Sequence, residues 1–555
     1  MGDAQDPINN ASANVDMEDT QGEKVSTEDS QYGTVYFDAA TSTNHEKPEV
    51  TIHPLDARNG VVVEITPPKE PSRLESAHVP CDIVLVLDVS ASMAEFAPIM
   101  KPGERNENPG CTVLDIVKHA ARTIIHTLDE KDRLGLVTFS TEAKARRPLL
   151  PMTPENKKSI ENIINWLHTE WGTNMWRGLE RGLELFGVEP DTGRVPALML
   201  LTDGLPNQGE PAGGYAQALR ARGPLPTAIY TFGFGPSIKS GLLSTVAEIG
   251  GGYYGFIPHS NMVCTVIVNA VAHLQSTFAT NCRLDLKIRS PIQLQISTAQ
   301  VLEMRQGHIF SDFTVSVVLG SIQYGQPRHI YLRFNEKVGD NCDIKPELAY
   351  SGSGGRDHIL GCDVPITQAS TLSAKEMAFH RNRSILCRFI LSLFPLGRRG
   401  YIVESRDAAN RVTLYGYMRE ALSAAEDDDD RCNQALHEQV DGLIRQAVYA
   451  DDDEWNGWGK HYLLSVWAAH AKQLRTTFLD PGVQMYDSES PLFAQCQTRL
   501  TKAFEEEVAP PKPSRLAEAD PVYSSGSATL HMGSYSGRSL MYSQNPFATP
   551  QSSRK

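Results

Sequence analysis

The spacing of apolar residues changes period several times along the chain. Between Val35 and Ile65 the runs TVYFDAA, EVTIHPLD and GVVVEITPP read as strands, with Asn59-Gly60 as a hairpin-type turn and Pro67 to Pro71 closing the segment. The continuous apolar run Asp82 to Asp88 (DIVLVLD) reads as a buried strand. After a polar insertion, Val113, Val117, Ala120, Ala121, Ile124, Ile125 and Leu128 fall on one helical stripe. The alternation then recurs: strand RLGLVTFS, edge-like ARRPLL, helices over 155–167 and 175–186, strand ALMLLTDG, strand TAIYTFGFG, helix over 240–249, short strand GYYGFI and helix over 262–275. This order predicts an α/β fold with a doubly wound, mostly parallel, Rossmann-like sheet between helices.

After Thr277 the period drops to two in CRLDLKIRS, IQLQIS, DFTVSVVLG, RHIYLRFN and ELAYSGSG, which predicts an antiparallel β-sandwich over 278–368. The strands within 31–75 are expected to join that sandwich, so that the α/β unit over 81–277 is inserted in it or precedes it. Helical spacing returns over 369–507, in 377–393, 408–425, 433–448 and 458–478. The acidic, polar stretch 1–30 and the Pro/Ser/Gly/Tyr-rich stretch 508–555 hold too few large apolar residues to offset their ordering entropy, and are expected to be a disordered leader and tail.

Composition narrows the classes. At 555 residues the chain exceeds one hydrophobic core. A net charge of −15 without a basic stripe argues against nucleic acid and anionic membrane as partners. The start lacks a signal-peptide pattern, and no run of ~18 apolar residues could span a bilayer. Nine cysteines without a C-x-x-C pair fit neither a disulfide framework nor a zinc finger. Together these point to a cytoplasmic location.

The chemistry-bearing residues cluster at predicted strand ends. Strand 82–87 runs into DVSASM, and in open α/β sheets ligands bind at the carboxyl ends of parallel strands. Asp88, Ser90 and Ser92 there offer a carboxylate and two hydroxyls to a hard divalent cation. WGTNMWRG adds Thr173 and LMLLTDG adds Asp203. Read blandly, Ser90, Ser92 and Thr173 cap helices and Asp203-Gly204 is a turn; five matches in register outweigh that reading.

These residues resemble the metal-ion-dependent adhesion site of von Willebrand factor type A domains: D-x-S-x-S, then a Thr, then T-D-G at a strand end. The resemblance covers 81–277. It implies that Asp88, Ser90, Ser92, Thr173 and Asp203 hold Mg2+ (or Mn2+ or Ca2+) directly or through water, and that an acidic side chain of a protein partner completes the coordination. The insertion from Glu95 to Cys111 departs from the commonest pattern of that family. The order of segments, with SILCRFILSLFP and KHYLLSVWAAHAKQLRTTFLDPGVQMYD after the A domain, also resembles fungal and oomycete proteins that place such a domain beside a U-box, RING or Hint-type module. No Cys/His ring or U-box stands in this chain, so ligase activity does not carry over.

Other features carry less. The acidic runs Asp427 to Asp430 and Asp451 to Glu454 lack the EF-hand pattern, and the glycines at 233–235 and 250–252 lack a phosphate-loop ending. His119, His126 and His168 have no partner at metal spacing, and no nucleophile elbow occurs. The sequence therefore points to a non-enzymatic module that docks an acidic residue of a partner through a metal. The alternatives are the substrate-recruiting part of a ubiquitin-ligase system and a metal-free structural scaffold.

Overall fold

The computed structural model describes residues 47–508 apart from 73–76, 97–110, 188–192, 259–261, 291–295, 298–301, 307–311, 339–341, 353–356, 362–369, 398–401, 404–406, 424–429 and 477–479. The leader, most of the insertion between Glu95 and Cys111, the run Asp427 to Asp429 and the tail lie outside the described residues.

Strands β1 (Glu49–Pro54) and β2 (Gly60–Thr66) pair as an antiparallel hairpin. The six-stranded sheet follows: β3 (Cys81–Asp88), β4 (Arg133–Phe139), β5 (Ala143–Pro151), β6 (Val195–Thr202), β7 (Ala228–Phe234) and β8 (Gly251–Ile257), in the order β5-β4-β3-β6-β7-β8. All neighbours are parallel except β5, which runs antiparallel to β4 at the edge. Flanking it are α1 (Val113–Thr127), α2 (Pro154–Asn165), α3 (Met175–Glu184), α4 (Gly214–Ala221), α5 (Ser240–Ile249) and α6 (Val263–Gln275). Every residue of β3 is buried, which is why DIVLVLD is apolar without alternation.

Local signals set the helix starts. Thr112 and Asp115 form a reciprocal capping box on α1, and Thr153 caps α2 with Pro154 in its first turn. Gly178 and Gly182 let α3 sit close on the sheet. A Cβ on Gly182 would stand 2.7 Å from Val86 Cγ2 and 2.8 Å from Leu198 Cδ1.

The remaining strands are β9 (Thr277–Arg289), β10 (Ile296–Ser297), β11 (Leu302–Gln306), β12 (Asp312–Gln323), β13 (Arg328–Phe334), β14 (Asp343–Gly352) and β15 (Asp357–Gly361). They form two antiparallel sheets, β1-β2-β13-β10 and β11-β12-β9-β14-β15. In β9, Cys282, Leu284, Leu286 and Ile288 are buried while Arg283, Lys287 and Arg289 face out, the period of a half-covered sheet. Because β2 pairs with β13, from Gly60 opposite Arg333 to Ile65 opposite Arg328, the six-stranded sheet lies in sequence between two neighbours of another sheet.

The C-terminal region is helical: α7 (Ala374–Ser392), α8 (Ala408–Ser423), α9 (Arg431–Gln439), α10 (Arg445–Tyr449), α11 (Asp452–Glu454), α12 (Lys460–Lys472), α13 (Pro481–Gln484) and α14 (Pro491–Lys502). The expected helix over 433–448 is broken by a π turn at Val440–Ile444, where Gly442 leaves helical backbone at ψ −112°. A second π turn, Trp455–Gly459, precedes α12. Residues 461–472 of α12 are all buried, so the helix is covered all round, and its polar members His461, Ser465, His470 and Lys472 each have a partner. It docks on the α/β unit through Ser465 Oγ, which accepts from the Phe256 N–H at 3.1 Å, and through His461, 2.9 Å from Ser240 Oγ. Burial lowers the pKa of His461 to about 3, so this contact is a neutral hydrogen bond. The seven cysteines whose side chains are described are all free, and six of them are buried.

Candidate metal centre

The sheet order reverses at β3: the chain leaves it for β4 on one side and returns to β6 on the other. The crevice at the carboxyl ends of two such strands is open for a ligand, because their crossovers diverge to opposite sides. Asp88 ends β3 and Thr202 ends β6, with Asp203 following.

The five expected residues meet in that crevice. The Ser90 N–H donates to Asp88 Oδ1 at 2.8 Å, and Thr202 Oγ1 donates to Asp88 Oδ2 at 2.5 Å. Ser90 Oγ and Ser92 Oγ are 3.0 Å apart, and Ser92 Oγ donates to Asp203 Oδ1 at 2.8 Å. A Cβ on Gly204 would stand 3.2 Å from Ser92 Oγ, 3.7 Å from Thr173 Cγ2 and 3.8 Å from Asp88 Oδ2, so three loops crowd one point. Asp88, Ser90, Thr173 and Asp203 are buried, and Ser92 is half-buried.

Backbone bonds hold the loops together. The Glu170 N–H donates to the Val89 carbonyl at 2.6 Å, and the Asn174 N–H donates to the Ser140 carbonyl at 2.7 Å. Asn207 binds the Thr173 backbone both ways, accepting from its N–H through Oδ1 at 3.0 Å and donating to its carbonyl at 3.1 Å. Thr202, Asn207 and Glu170 thus position the site, and sequence reading missed all three as separate contributors. Thr202 had a signal, since it stands within T-D-G; Asn207 and Glu170 act through contacts with residues distant in sequence.

The electrostatics match a place for a cation. Burial raises the Asp88 pKa to about 6, against hydrogen bonds from Thr202 and Ser90 that lower it. Burial, with the Asp88 charge beside it, raises Asp203 to about 7. Two carboxylates removed from water and facing each other are costly unless a positive charge lies between them. With magnesium–oxygen distances of ~2.1 Å, adjacent oxygens of an octahedron stand about 2.9 Å apart. The Ser90–Ser92 and Ser92–Asp203 oxygen pairs, at 3.0 and 2.8 Å, suit such an edge. The donor set, all oxygen and two of it anionic, fits a hard divalent cation.

A second group, His78, Asp129 and Asp132, also brings possible ligand atoms within 4.8 Å of one another. Its atoms are engaged otherwise. Asp132 accepts from the Cys81 and Asp129 N–H groups, each at 2.8 Å, and meets His78 Nε2 at 2.8 Å. The Arg499 guanidinium donates to His78 Nδ1 at 2.7 Å, which fixes the Nε2-protonated tautomer and places a positive charge where a metal would repel it. This is a clip between α14 and the start of β3.

Residues 83–205 match the family model of the von Willebrand factor type A domain, and residues 429–502 match that of the VWA / Hh protein intein-like family. The chain is 28% identical over 180 residues to inter-alpha-trypsin inhibitor heavy chain H3 of Mus musculus, covering 30% of this chain and 18% of the relative. It is 29% identical over 152 residues to the E3 ubiquitin-protein ligase WAV3 of Arabidopsis thaliana, covering 27% and 17%. The chain therefore spans about a fifth of the length of these curated relatives. Among solved structures, a von Willebrand factor type A protein from Catenulispora acidiphila aligns with a TM-score of 0.50 at 14% identity, over 78% of this chain and 99% of that one. Among the described residues no helix is long and apolar enough to cross a membrane. Residues 83–205 are thus similar to the von Willebrand factor type A domain, a protein-interaction module, and the C-terminal helices over 429–502 are similar to the VWA / Hh protein intein-like family.

Proposed function

We propose that the chain captures an acidic side chain of a protein partner through a divalent cation held by Asp88, Ser90, Ser92, Thr173 and Asp203. The observation that carries this reading is the pair of buried carboxylates, Asp88 and Asp203, beside two hydroxyls, with the Ser90–Ser92 and Ser92–Asp203 oxygens at octahedral edge spacing. When bound, the cation supplies a positive centre with a coordination position for an external carboxylate. The protein's residues do the rest: Asp88 and Asp203 balance its charge, the serines and Thr173 complete the oxygen set, and Thr202 and Asn207 fix the orientation of Asp88 and of the Thr173 loop. Magnesium suits the oxygen spacing; manganese takes the same ligands.

The test is isothermal titration of magnesium into the full chain, and pull-down from extract with and without chelator. The expected result is magnesium uptake by the wild type, none by Asp88→Ala, and partners released by chelator. Wild-type chain that takes up no magnesium, and binds the same partners as Asp88→Ala, would refute the reading.

One observation favours a second role for the same site. Relatives of the domain include proteins named E3 ubiquitin-protein ligase WAV3 and probable E3 ubiquitin-protein ligase WAVH2, at 29 and 27% identity. In that reading the chain recruits substrates for a ubiquitin ligase. Discharge of ubiquitin from a charged conjugating enzyme, dependent on a ligase partner co-purified through the metal site, separates it from simple docking.

A further inference from the structure

Trp166 and Trp171 are 84 and 85% exposed. Both lie on the segment between α2 and α3 that supplies Thr173. Large aromatic rings are seldom left in water unless they serve contact. The fold uses only the backbone of these two residues. The Trp166 N–H closes the end of α2 on the carbonyls of Asn162, Ile163 and Ile164. The Trp171 carbonyl accepts from the Thr141 N–H at 3.0 Å and from Thr141 Oγ1 at 2.7 Å. Any side chain would permit those bonds, so the rings are surplus to folding.

The segment is also held in place. Glu170 bridges Ser90, and Gly172 at φ +83° sits where a Cβ would strike Thr141 Oγ1 and the Gln208 amide. The Trp171 ring is thus presented from a fixed backbone two residues before Thr173. Leu205, 48% exposed, follows Asp203 by two residues on a neighbouring loop of the same site.

Charge reverses locally. The chain carries −15 overall, yet the edge strand β5 holds Lys144, Arg146 and Arg147 and no acid. Glu170 meets Lys144 at 2.8 Å and Arg146 at 3.6 Å, one anion between two cations. Arg146, Ile163 and Trp166 line a depression of about 290 Å³. Cations on an edge strand also discourage strand pairing. That accounts for β5 alone, because exposed tryptophans beside an edge would undo the protection.

We propose that the segment from Trp166 to Trp171 reads the sequence around the captured acid. Its occupant is an extended segment of a protein partner that places an apolar side chain on Trp171 and a second acidic side chain at Arg146 and Trp166. This rests on the metal-docking reading, which supplies the first acidic contact. Two exposed aromatic rings on a held backbone, beside an excess of positive charge, are the composition of an interface centre that selects acidic-apolar peptides.

The test uses the full chain on an array of 12-residue peptides with central Asp or Asn and systematically apolar, acidic or basic flanks, in magnesium or chelator. A 12-nucleotide single strand serves as a control. The expected outcome is magnesium-dependent binding of Asp peptides that carry an apolar flank and a further acid, with a blue shift of tryptophan emission. Trp171→Ala weakens it about 30-fold, the loss of one hot-spot side chain, Trp171→Phe restores most of it, and Trp166→Ala removes the preference for the second acid. Unchanged melting of the variants shows that they fold. If magnesium-dependent Asp binding is the same in both Ala variants, this proposal fails and the metal reading stands. Tryptophan-dependent binding that ignores magnesium and survives Asp88→Ala overturns the metal reading and with it the joint site. Absence of magnesium-dependent binding to every peptide overturns both. Tryptophan-dependent capture of the oligonucleotide in place of peptides overturns the proposal in favour of a nucleic acid.

Discussion

Consider Asp203→Asn in the metal-free chain. Asp203 is 7% exposed, and its pKa is raised from 3.8 to about 7 by burial and by Asp88. At pH 8 the folded chain must hold it ionised. Holding a carboxylate ionised after burial has raised it from 3.8 to about 7 costs on the order of 4 kcal/mol relative to the unfolded chain. The same arithmetic for Asp88, raised to about 6, gives about 3 kcal/mol. Asn at 203 keeps an acceptor for Ser92 Oγ and removes one of the two facing charges. The metal-free variant is therefore expected to be more stable than metal-free wild type at pH 8, by an amount of order 2–4 kcal/mol. This is contrary to the usual effect of altering a buried, hydrogen-bonded residue.

Magnesium should narrow or close this gap. A ligand at a hundred times its dissociation constant stabilises by about 2.7 kcal/mol, roughly 3 °C of melting temperature for a folded unit of this size. Wild type should gain this shift and Asp203→Asn should not. Differential scanning fluorimetry at pH 8, with chelator or with 10 mM magnesium, reads all four states. Two outcomes would refute the reasoning: a variant less stable than wild type in chelator, which would mean that the facing carboxylates are not strained, or an equal magnesium shift in both proteins.

Three further outcomes are expected. Asp480, fully buried with its carboxylate accepting from Tyr462 Oη at 2.9 Å, has its pKa raised to about 7, chiefly by burial. A raised carboxylate pKa means the folded state holds a proton that the unfolded state loses, so stability falls as pH climbs from about 4 to 7; Asp480→Asn should escape that fall, by up to about 4 kcal/mol in urea titrations at pH 8. Glu64 has the opposite sign: the hydrogen bond to His329, with a second to His53, lowers it to about 2. Its contribution is present above pH 4.5 and lost as pH falls toward 2, so Glu64→Gln should unfold earlier than wild type at pH 6 and match it near pH 2. Gly182→Val drives a branched side chain into Val86 and Leu198 and should cost about 1–3 kcal/mol in chemical denaturation; a neutral result would show that α3 can lift off the sheet.

The parts of the site that were legible in the sequence are those in which local chemistry and local pattern coincide. β3 and β6 are apolar without interruption because they are central in a covered sheet, and their ends carry D-x-S-x-S and T-D-G. The two segments are more than a hundred residues apart, and only the reversal of strand order at β3 makes them neighbours. Asn207 and Glu170 have no signature, since what they bind is the backbone of another loop. The eight-residue α4 was absent from the pattern because it is too short to show a period and starts at Gly213-Gly214, both at positive φ. α14 did carry a start signal, Ser490 with Pro491 in the first turn, within a region read only as broadly helical.

The longer-range organisation was legible in kind, and its pairing came from elsewhere. A period of two assigns a residue to a face of a sheet and says nothing of which strand lies beside it. The pairing of β2 with β13 is set by close backbone approach: a Cβ on Gly60 would fall 2.2 Å from the Leu332 carbonyl oxygen. The chain thus leaves one sheet, builds the whole α/β unit and returns to the same sheet, which ties both ends of that unit to a common frame. α14 adds a third tie through Arg499, His78 and Asp132, at the entry to β3. The loops with Asp88, Ser90 and Ser92 lie at the opposite, carboxyl end of β3 from these ties. The loops there are held by backbone bonds, such as Glu170 N–H to the Val89 carbonyl and Thr141 N–H to the Trp171 carbonyl, so the exposed side chains of Trp166, Trp171 and Leu205 can change without loss of the bonds that hold Asp88 and Asp203 in place.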